Sequence, residues 1–364
     1  MAVNSFLQKA NLFSYSGTNC VRNDYYHNDC HICVDICPEN AFRIIRNKLT
    51  LFENECTGCS ACIGSCPTEA LTIESFDPNA FSVIFHKEEN PEISCKKNTP
   101  CLGVFDAHHL ITMTLDRESA PVCDMRHCEG CPINREGKVE TSIREKITIA
   151  NDFLESVGYD KRIATMDEKE EEEVNPKRML FRKAVDKAKV AIEAQQLELG
   201  MTLSHQRSNE HTGLPLKNII LKEAIRKNTG KFEKTAFKET TSPLFFNKKI
   251  IFEKCTNCGD CAQFCPTEAL SLTSDKQGIN FVSGNCIGCG ICDDICKTDA
   301  IYTDNAFDLI SIAYDRMETL VHYEMVMCHE CRCPYPYRGG DPICDRCVDF
   351  KKEFKGMFTL ARDQ

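Results

Sequence analysis

Residues 255–296 read CTNCGDCAQFCPTEALSLTSDKQGINFVSGNCIGCGICDDIC, and the fold of the chain follows most directly from them. They contain two runs of four cysteines with one spacing, Cys-x-x-Cys-x-x-Cys-x-x-x-Cys. One tight loop can present three such thiols to three irons of a cubane, while the fourth cysteine reaches the neighbouring cluster. Zinc needs only four ligands and does not explain two matched runs. We therefore expect two 4Fe-4S clusters, held by Cys255, Cys258, Cys261 and Cys296, and by Cys265, Cys286, Cys289 and Cys292.

The same pattern occurs near the N-terminus with one ligand displaced. The second run is complete, but the first begins at Cys30 and has His27 where its leading cysteine belongs. Cys20 is otherwise unassigned, so we expect it to complete this cluster from a longer loop. Ligation by His27 and a three-iron cluster are the alternatives. The expected ligand sets are Cys20, Cys30, Cys33 and Cys66, and Cys37, Cys56, Cys59 and Cys62.

These repeats predict an α+β chain with two dicluster modules. Each cysteine loop is expected to end in a short helix that starts at the last cysteine, because proline follows that cysteine in three of four cases. A short β segment such as 278–282 should come next. The expected divisions are a first module at 1–77, an α/β unit at 78–164, a charged helical linker at 165–245, a second module at 246–306 and a tail at 307–364.

The α/β unit carries a further group of cysteines. We expect a strand at 81–85, helices at 103–115 and 141–157, and loops that meet at one end of the unit. Four thiols there would hold one more Fe–S cluster, through Cys95, Cys101, Cys128 and Cys131. A zinc site or unligated thiols is the alternative. Cys123 is expected to be a buried small residue, and His108 and His109 to serve helix packing or the surface.

The tail has paired Cys-x-x-Cys knuckles twelve residues apart. This is the zinc-ribbon spacing, and its closed tetrahedral site would be structural. Iron, either rubredoxin-like or as an Fe–S centre, is the alternative. The expected ligands are Cys328, Cys331, Cys344 and Cys347, with Cys333 left over.

The linker at 165–245 is highly charged. Residues 175–199 have helical spacing, which predicts a solvated helix or a helix that docks a partner.

The composition indicates where the protein is located and which partners it can bind. The 364 residues include 26 cysteines, and the first residues lack a basic segment followed by an apolar core. Free thiols at short spacing indicate a reducing compartment, so we expect a cytoplasmic protein. The net charge of -10 disfavours nucleic acid, and no apolar run suits membrane insertion. Neither a G-x-G-x-x-G fingerprint nor a Walker A loop is present.

Both cysteine modules resemble 2×4Fe-4S ferredoxins. The middle is loosely similar to iron–sulfur subunits of methyl-viologen-type hydrogenases and heterodisulfide reductases, through Cys95 and Cys101, residues 127–131 and the turn at 158–162. The whole also resembles multi-cluster ferredoxins that accompany formate dehydrogenases. The resemblance implies electron transfer between redox proteins in anaerobic respiration.

The resulting hypothesis is an electron carrier rather than a stand-alone enzyme. Electrons would enter one module, cross the α/β unit and leave by the other. One alternative is a cysteine-rich zinc protein that binds protein or nucleic acid. Another is an oxidoreductase subunit with a substrate site at an incomplete cluster near Cys20 and His27.

Overall fold

A computed structural model describes residues 13–168, 213–238 and 243–354. The first module pairs strands β1 with β4 and β2 with β3, both antiparallel, and its helices are short. In chain order its elements are β1 (Phe13–Tyr15), α1 (Val21–Asp24), α2 (Ile32–Asp35), β2 (Phe42–Ile45), β3 (Lys48–Leu51), α3 (Ala61–Ser65) and β4 (Leu71–Ile73).

The short helices of the modules precede the last cysteine of each run, so the expectation that they start there is wrong. The reason is a tight turn after that cysteine. Three residues beyond it the backbone is left-handed in all four repeats, which no continuing helix allows. The residues are Asn40 (φ 53°), Glu69 (φ 52°), Glu268 (φ 53°) and Asp299 (φ 48°).

A parallel three-stranded sheet forms the centre of the middle unit, in the order β5-β6-β7. Its elements are α4 (Pro78–Ile84), β5 (Glu92–Ile93), α5 (Ala107–Leu115), β6 (Val122–Asp124), α6 (Lys138–Ser156) and β7 (Ala164–Met166). The two expected helices at 103–115 and 141–157 are confirmed by α5 and α6 with slightly different bounds.

The strand expected at 81–85 is wrong, because this segment lies largely in α4. Asp77 caps that helix by accepting hydrogen bonds from the backbone of Asn79 and Ala80, and Pro78 occupies its first turn. Phe81 and Phe85 are buried four residues apart, with ring centroids at 5.3 Å. The local capping chemistry thus overrides the β propensity of the aromatic and β-branched side chains.

Helix α7 (Leu216–Asn228) lies in the segment expected to be a solvated linker, and it is packed instead. Leu221 and Ile225 are buried against the core that also contains α5 and α10 (Leu309–Ala313). The helix expected at 175–199 lies outside the described residues. Strand β8 (Ala236–Phe237) follows α7 and pairs with β13 (Phe307–Asp308).

The second module repeats the first in its strand pairing. Its elements are β9 (Asn247–Ile250), α8 (Asp260–Gln263), β10 (Leu270–Leu272), β11 (Gly278–Val282), α9 (Ile291–Ile295) and β12 (Ile301–Asp304). Strand β14 (Met317–His322) extends the β10–β11 pair. The tail then forms β15 (Glu324–Met327), β16 (Pro334–Tyr337) and α11 (Asp345–Glu353).

One continuous core joins the first module, the α/β unit, α7 and residues 307–313, while the second module has a separate core. In the described ranges no helix is both long and apolar enough to cross a bilayer.

Candidate metal centres

The structure brings most of the cysteines into groups of four. We number the five groups outside the tail by their order in space. Site 5 comprises Cys255, Cys258, Cys261 and Cys296, and these four residues line one cavity of about 120 Å³. Burial raises the pKa of the Cys261 thiol to about 12, and the charges of the other three thiols add to the shift. Four thiols around one cavity suit the donor set of a cubane cluster.

Site 4 comprises Cys265, Cys286, Cys289 and Cys292, which line a second and smaller cavity of the same module. Burial and the charges of neighbouring thiols raise the pKa of Cys286 to about 12 and that of Cys289 to about 11. Each site combines three cysteines of one run with the last cysteine of the other, which is the exchange that the spacing predicts.

The turn after each run directs hydrogen-bond donors at the last cysteine. The left-handed residue orients the next backbone N–H towards the sulfur, at 3.2 Å from Ala41 to Cys37 and 3.3 Å from Ala70 to Cys66 and from Ala300 to Cys296. A threonine hydroxyl lies 3.7–3.8 Å from the sulfur of Cys66, Cys265 and Cys296. Such donors stabilise negative charge on a thiolate and on the cluster that it holds.

Site 3 comprises Cys20, Cys30, Cys33 and Cys66. Burial, with a further contribution from neighbouring charges, raises the pKa of the Cys33 thiol to about 12. The thiols that contribute these charges are Cys66, Cys30 and Cys20. His27 is exposed and packs its ring against Tyr25 and Tyr26. Cys20 is only 8% exposed, so the structure brings Cys20 to this group and leaves His27 at the surface.

Strand register explains why Cys20 reaches this site. Tyr15 pairs with Leu71 in the first module, and Ile250 pairs with Ile301 in the second. Leu71 and Ile301 each lie five residues after the last cysteine of their module, so the two pairs are equivalent. The cysteine five residues after Tyr15 is Cys20, and the one five residues after Ile250 is Cys255.

Cys20 is therefore the leading cysteine of its run, separated from Cys30 by an insertion that contains α1. Nine residues lie between Cys20 and Cys30, where two lie between Cys255 and Cys258. Position in the strand pairing, rather than distance from His27, is the feature that favours Cys20 as the missing ligand.

Site 2 comprises Cys37, Cys56, Cys59 and Cys62. Burial, with a further contribution from the nearby charges of Cys37 and Cys56, raises the pKa of the Cys59 thiol to about 11. Cys62 is buried, and the charge of Cys33 in site 3 also acts on it, which places sites 2 and 3 side by side.

Site 1 comprises Cys95, Cys101, Cys128 and Cys131. Cys95 follows β5 and Cys128 follows β6, so both lie beyond the carboxyl ends of parallel strands, where α/β sheets bind ligands. Buried Asp124 accepts a 2.7 Å hydrogen bond from Ser94 Oγ and pairs with Arg126, which ties the two loops together. Burial raises the pKa of Cys128 to about 12, with the charges of Cys95 and Cys131 among the further causes.

The remaining cysteine of the α/β unit, Cys123, and His109 serve packing. Cys123 lies in β6 at 1% exposure, and burial alone raises its pKa to about 12. His109 is buried in α5, where its Nδ1 accepts from the backbone of Asp106 at 2.9 Å and its Nε2 lies 3.0 Å from Asn79 Oδ1. Burial lowers the pKa of His109 to about 3, so its ring is neutral.

The tail site comprises Cys328, Cys331, Cys344 and Cys347, whose sulfurs all lie within 4.8 Å of one another. The sulfurs of Cys331 and Cys344 are 3.7 Å apart. A tetrahedral metal with metal–sulfur bonds of about 2.3 Å needs sulfur–sulfur distances of about 3.8 Å, so this group can bind a metal ion. Cys333 is exposed and outside the group.

The sites follow one another in a row. Cys101 of site 1 lies within the electrostatic range of Cys59 of site 2. Cys30 of site 3 and Cys289 of site 4 line one cavity of about 340 Å³ between the modules. At the far end, Tyr323 donates a 2.9 Å hydrogen bond to the carbonyl of Phe252, which joins the start of the tail to the loop of site 5. The α/β unit therefore lies at one end of the row, and not between the modules as the sequence suggested.

Comparison with known proteins agrees with the dicluster geometry. The 4Fe-4S dicluster domain family matches residues 247–297, which include every cysteine of sites 4 and 5. The 4Fe-4S binding domain family matches residues 49–72, which include one run of the first module. The chain is also similar to the ferredoxin of Methanothermococcus thermolithotrophicus, at 38% identity over 47 residues, which is 13% of this chain and 78% of that ferredoxin.

The chain belongs to the 4Fe-4S ferredoxin family. It is a multi-cluster ferredoxin-like protein with an iron–sulfur electron-transfer role and redox partners. When bound, 4Fe-4S clusters supply one-electron storage and release, and the residues of this ferredoxin set where that happens. Sequence reasoning did not find the order of the sites or the packed helix α7, because both arise from contacts between segments far apart in the chain.

Proposed function

We propose that this ferredoxin carries electrons along a row of five Fe–S clusters between two redox proteins. Four 4Fe-4S clusters would occupy sites 2 to 5, and one further cluster would occupy site 1. A zinc ion in the tail site would stabilise the ribbon. The observation that carries this proposal is the adjacency of consecutive thiol groups, from Cys101 near Cys59 to Cys30 and Cys289 on one cavity.

The two ends of the row differ from its centre in their access to the surface. Cys258 of site 5 is exposed, and the loop of site 1 has exposed residues at Glu129, Gly130 and Pro132. Five of the eight thiols of sites 2 and 3 are buried, and none of the eight is exposed. Partners would thus exchange electrons at the ends, and the inner sites would connect them.

The biological setting that we propose is cytoplasmic anaerobic respiration, with a formate dehydrogenase or hydrogenase as one partner. This follows the resemblance of the middle unit to subunits of hydrogenases and heterodisulfide reductases, and of the whole chain to ferredoxins that accompany formate dehydrogenases. The acidic net charge favours a basic docking surface on the partner.

Metal and electron counting tests the proposal. An anaerobic preparation should contain about sixteen irons with matching sulfide for sites 2 to 5, and about twenty if site 1 is a cubane. It should take up one electron per cluster from dithionite and return them to an added acceptor. Zinc in place of most of the iron would contradict the proposal and favour the cysteine-rich binding protein.

A further inference from the structure

The two sites of the second module differ in one buried charge. Lys248 of β9 is 3% exposed and lines the same cavity as the four thiols of site 4. Its Nζ donates to Asp293 Oδ2 at 2.5 Å and to Thr303 Oγ1 at 2.7 Å. The ion pair with Asp293 favours the charged form of Lys248, so a buried positive charge lies beside the thiols of site 4.

The internal repeat provides the matched position in the sister site. Lys248 lies seven residues before Cys255, and Ile279 lies seven residues before Cys286. Ile279 lines the cavity of site 5, as Lys248 lines that of site 4. The module therefore places a cation beside one cluster position and an aliphatic side chain beside the other.

Other sites of the row also have buried lysines nearby. Lys217 donates a 2.7 Å hydrogen bond to the carbonyl of Cys66 in site 3, and buried Lys146 lies near Cys101 and Cys62 of sites 1 and 2. The cavity of site 5 is lined by one lysine of the described chain, Lys297, which is exposed to solvent. Water screens an exposed charge much more than a buried one.

We propose that Lys248 makes site 4 the higher-potential member of the second module, so that electrons arriving at site 5 pass inwards to site 4. This inference rests on the proposed function. A buried positive charge stabilises the electron added to a nearby cluster, and so raises its reduction potential. Asp293 offsets part of this charge, but its side chain is 38% exposed and does not line the cavity.

The step is a single electron transfer. With clusters bound, the one at site 5 would give up one electron, and the one at site 4 would gain it. No bond is made or broken, and no proton or co-reactant is needed. Exposed Cys258 then marks the entry end of the row, and site 1 marks the exit end.

The test is a redox titration of the full chain, followed by paramagnetic resonance, with Lys248→Ile. This variant copies the residue found at the matched position. One reduction wave should move to lower potential while the others stay in place. Lys249→Ile is the control, because Lys249 lies next in the same strand but pairs with Glu318 at the surface. This variant should leave every reduction wave at its original potential. Lys248→Arg should keep the wave near its original potential.

An unmoved wave in Lys248→Ile, with full iron and sulfide content, overturns the inference and leaves the proposed function intact. If Lys248→Ile fails to bind a cluster at site 4, the reduction potentials of Lys248→Arg and Lys248→Gln are compared instead. Equal potentials in these two variants contradict the inference. A wild-type protein without clusters would instead contradict the proposed function itself.

Discussion

Asn28 Nδ2 donates a 3.0 Å hydrogen bond to the carbonyl oxygen of Cys289, across 261 residues of sequence. Asn28 is 3% exposed, and its Oδ1 also accepts from the backbone N–H of Cys30 at 3.1 Å. One side chain therefore binds the cysteine loop of site 3 to that of site 4. Val21 of the first module also packs in one apolar cluster with Ile287 and Ile291 of the second.

Substitution at Asn28 should loosen the junction between the modules. Asn28→Ala removes both hydrogen bonds and should lower the free energy of unfolding by about 1–3 kcal/mol. Asn28→Asp keeps the acceptor for Cys30 but loses the donor to Cys289. Electron equilibration after pulse reduction should be slower in both variants, and an unchanged rate in both would show that the junction does not limit transfer.

Cys20→Ala should damage site 3, because the strand register makes Cys20 equivalent to Cys255. We expect a three-iron or labile cluster, which gives a paramagnetic signal when oxidised, whereas an oxidised four-iron cubane of this type gives none. His27→Ala is the control and should leave the oxidised protein silent. A silent Cys20→Ala protein with its full iron content would refute the assignment.

Gly64→Ala should push sites 1 and 2 apart. A Cβ at Gly64 would lie 2.5 Å from the carbonyl oxygens of Gly103 and Phe105, and a backbone cannot move aside as a flexible side chain does. Overpacking of this kind costs about 1–3 kcal/mol. Gly103→Ala is the matched control from the other side of the contact, where the nearest atoms are 3.3–3.4 Å away. Urea unfolding should show the larger loss for Gly64→Ala.

The Asp106–Lys217 ion pair should make stability depend on pH. Although burial disfavours the charged carboxylate, Lys217 beside it holds the pKa of Asp106 well below its usual range. A depressed carboxyl pKa stabilises the fold above the unfolded value of about 4, and this stabilisation is lost as the pH falls through the folded pKa.

Substituting one member of this pair should lower the free energy of unfolding more than substituting both. Asp106→Asn leaves the buried Lys217 charge unpaired and should lower the free energy of unfolding by about 3–5 kcal/mol. The double variant Asp106→Asn/Lys217→Met should recover much of that loss. Urea unfolding at neutral pH measures both, and equal losses in the two variants would contradict this account.

Cys344→Ser should release the metal of the tail site and unfold the ribbon, since metal binding contributes to the folding free energy of such sites. Zinc should fall by one equivalent while iron stays constant, and proteolysis should cut the tail first. Cys333→Ser is the control, because Cys333 is exposed and outside the group. Loss of iron from Cys344→Ser would show that the tail site holds an iron centre.

The sequence predicted most where spacing alone determines geometry. The runs around Cys56 and Cys255 specify tight loops whatever the rest of the chain does, and the dicluster match at 247–297 agrees with them. The sequence predicts a helix after each run where the structure has a turn, because proline suits both and the left-handed residue that follows has no sequence signature. Glu69 and Glu268 adopt that conformation without being glycine or asparagine.

Tertiary contacts were the part that spacing did not reveal. Helix α7 reads as charged, yet Lys217 and Lys222 are buried and pair with Asp106 and Asp315. A lysine of this kind is indistinguishable from a surface lysine until its partner is known. The placement of site 3 beside site 4 likewise involves the Asn28–Cys289 contact, which no local sequence pattern predicts.

Helix α7 has a consequence for how this chain can be rearranged. Its first residues donate backbone hydrogen bonds to Glu69 of the first module, and Lys222 and Arg226 bind Asp315 and the carbonyl of Ala313 beyond the second. Dividing the gene between the modules would deprive each half of some of the hydrogen bonds and ion pairs that stabilise it. The two ferredoxin modules therefore cannot be exchanged independently. A recombinant that replaces one of them must also include residues 216–228 and the residues that they bind.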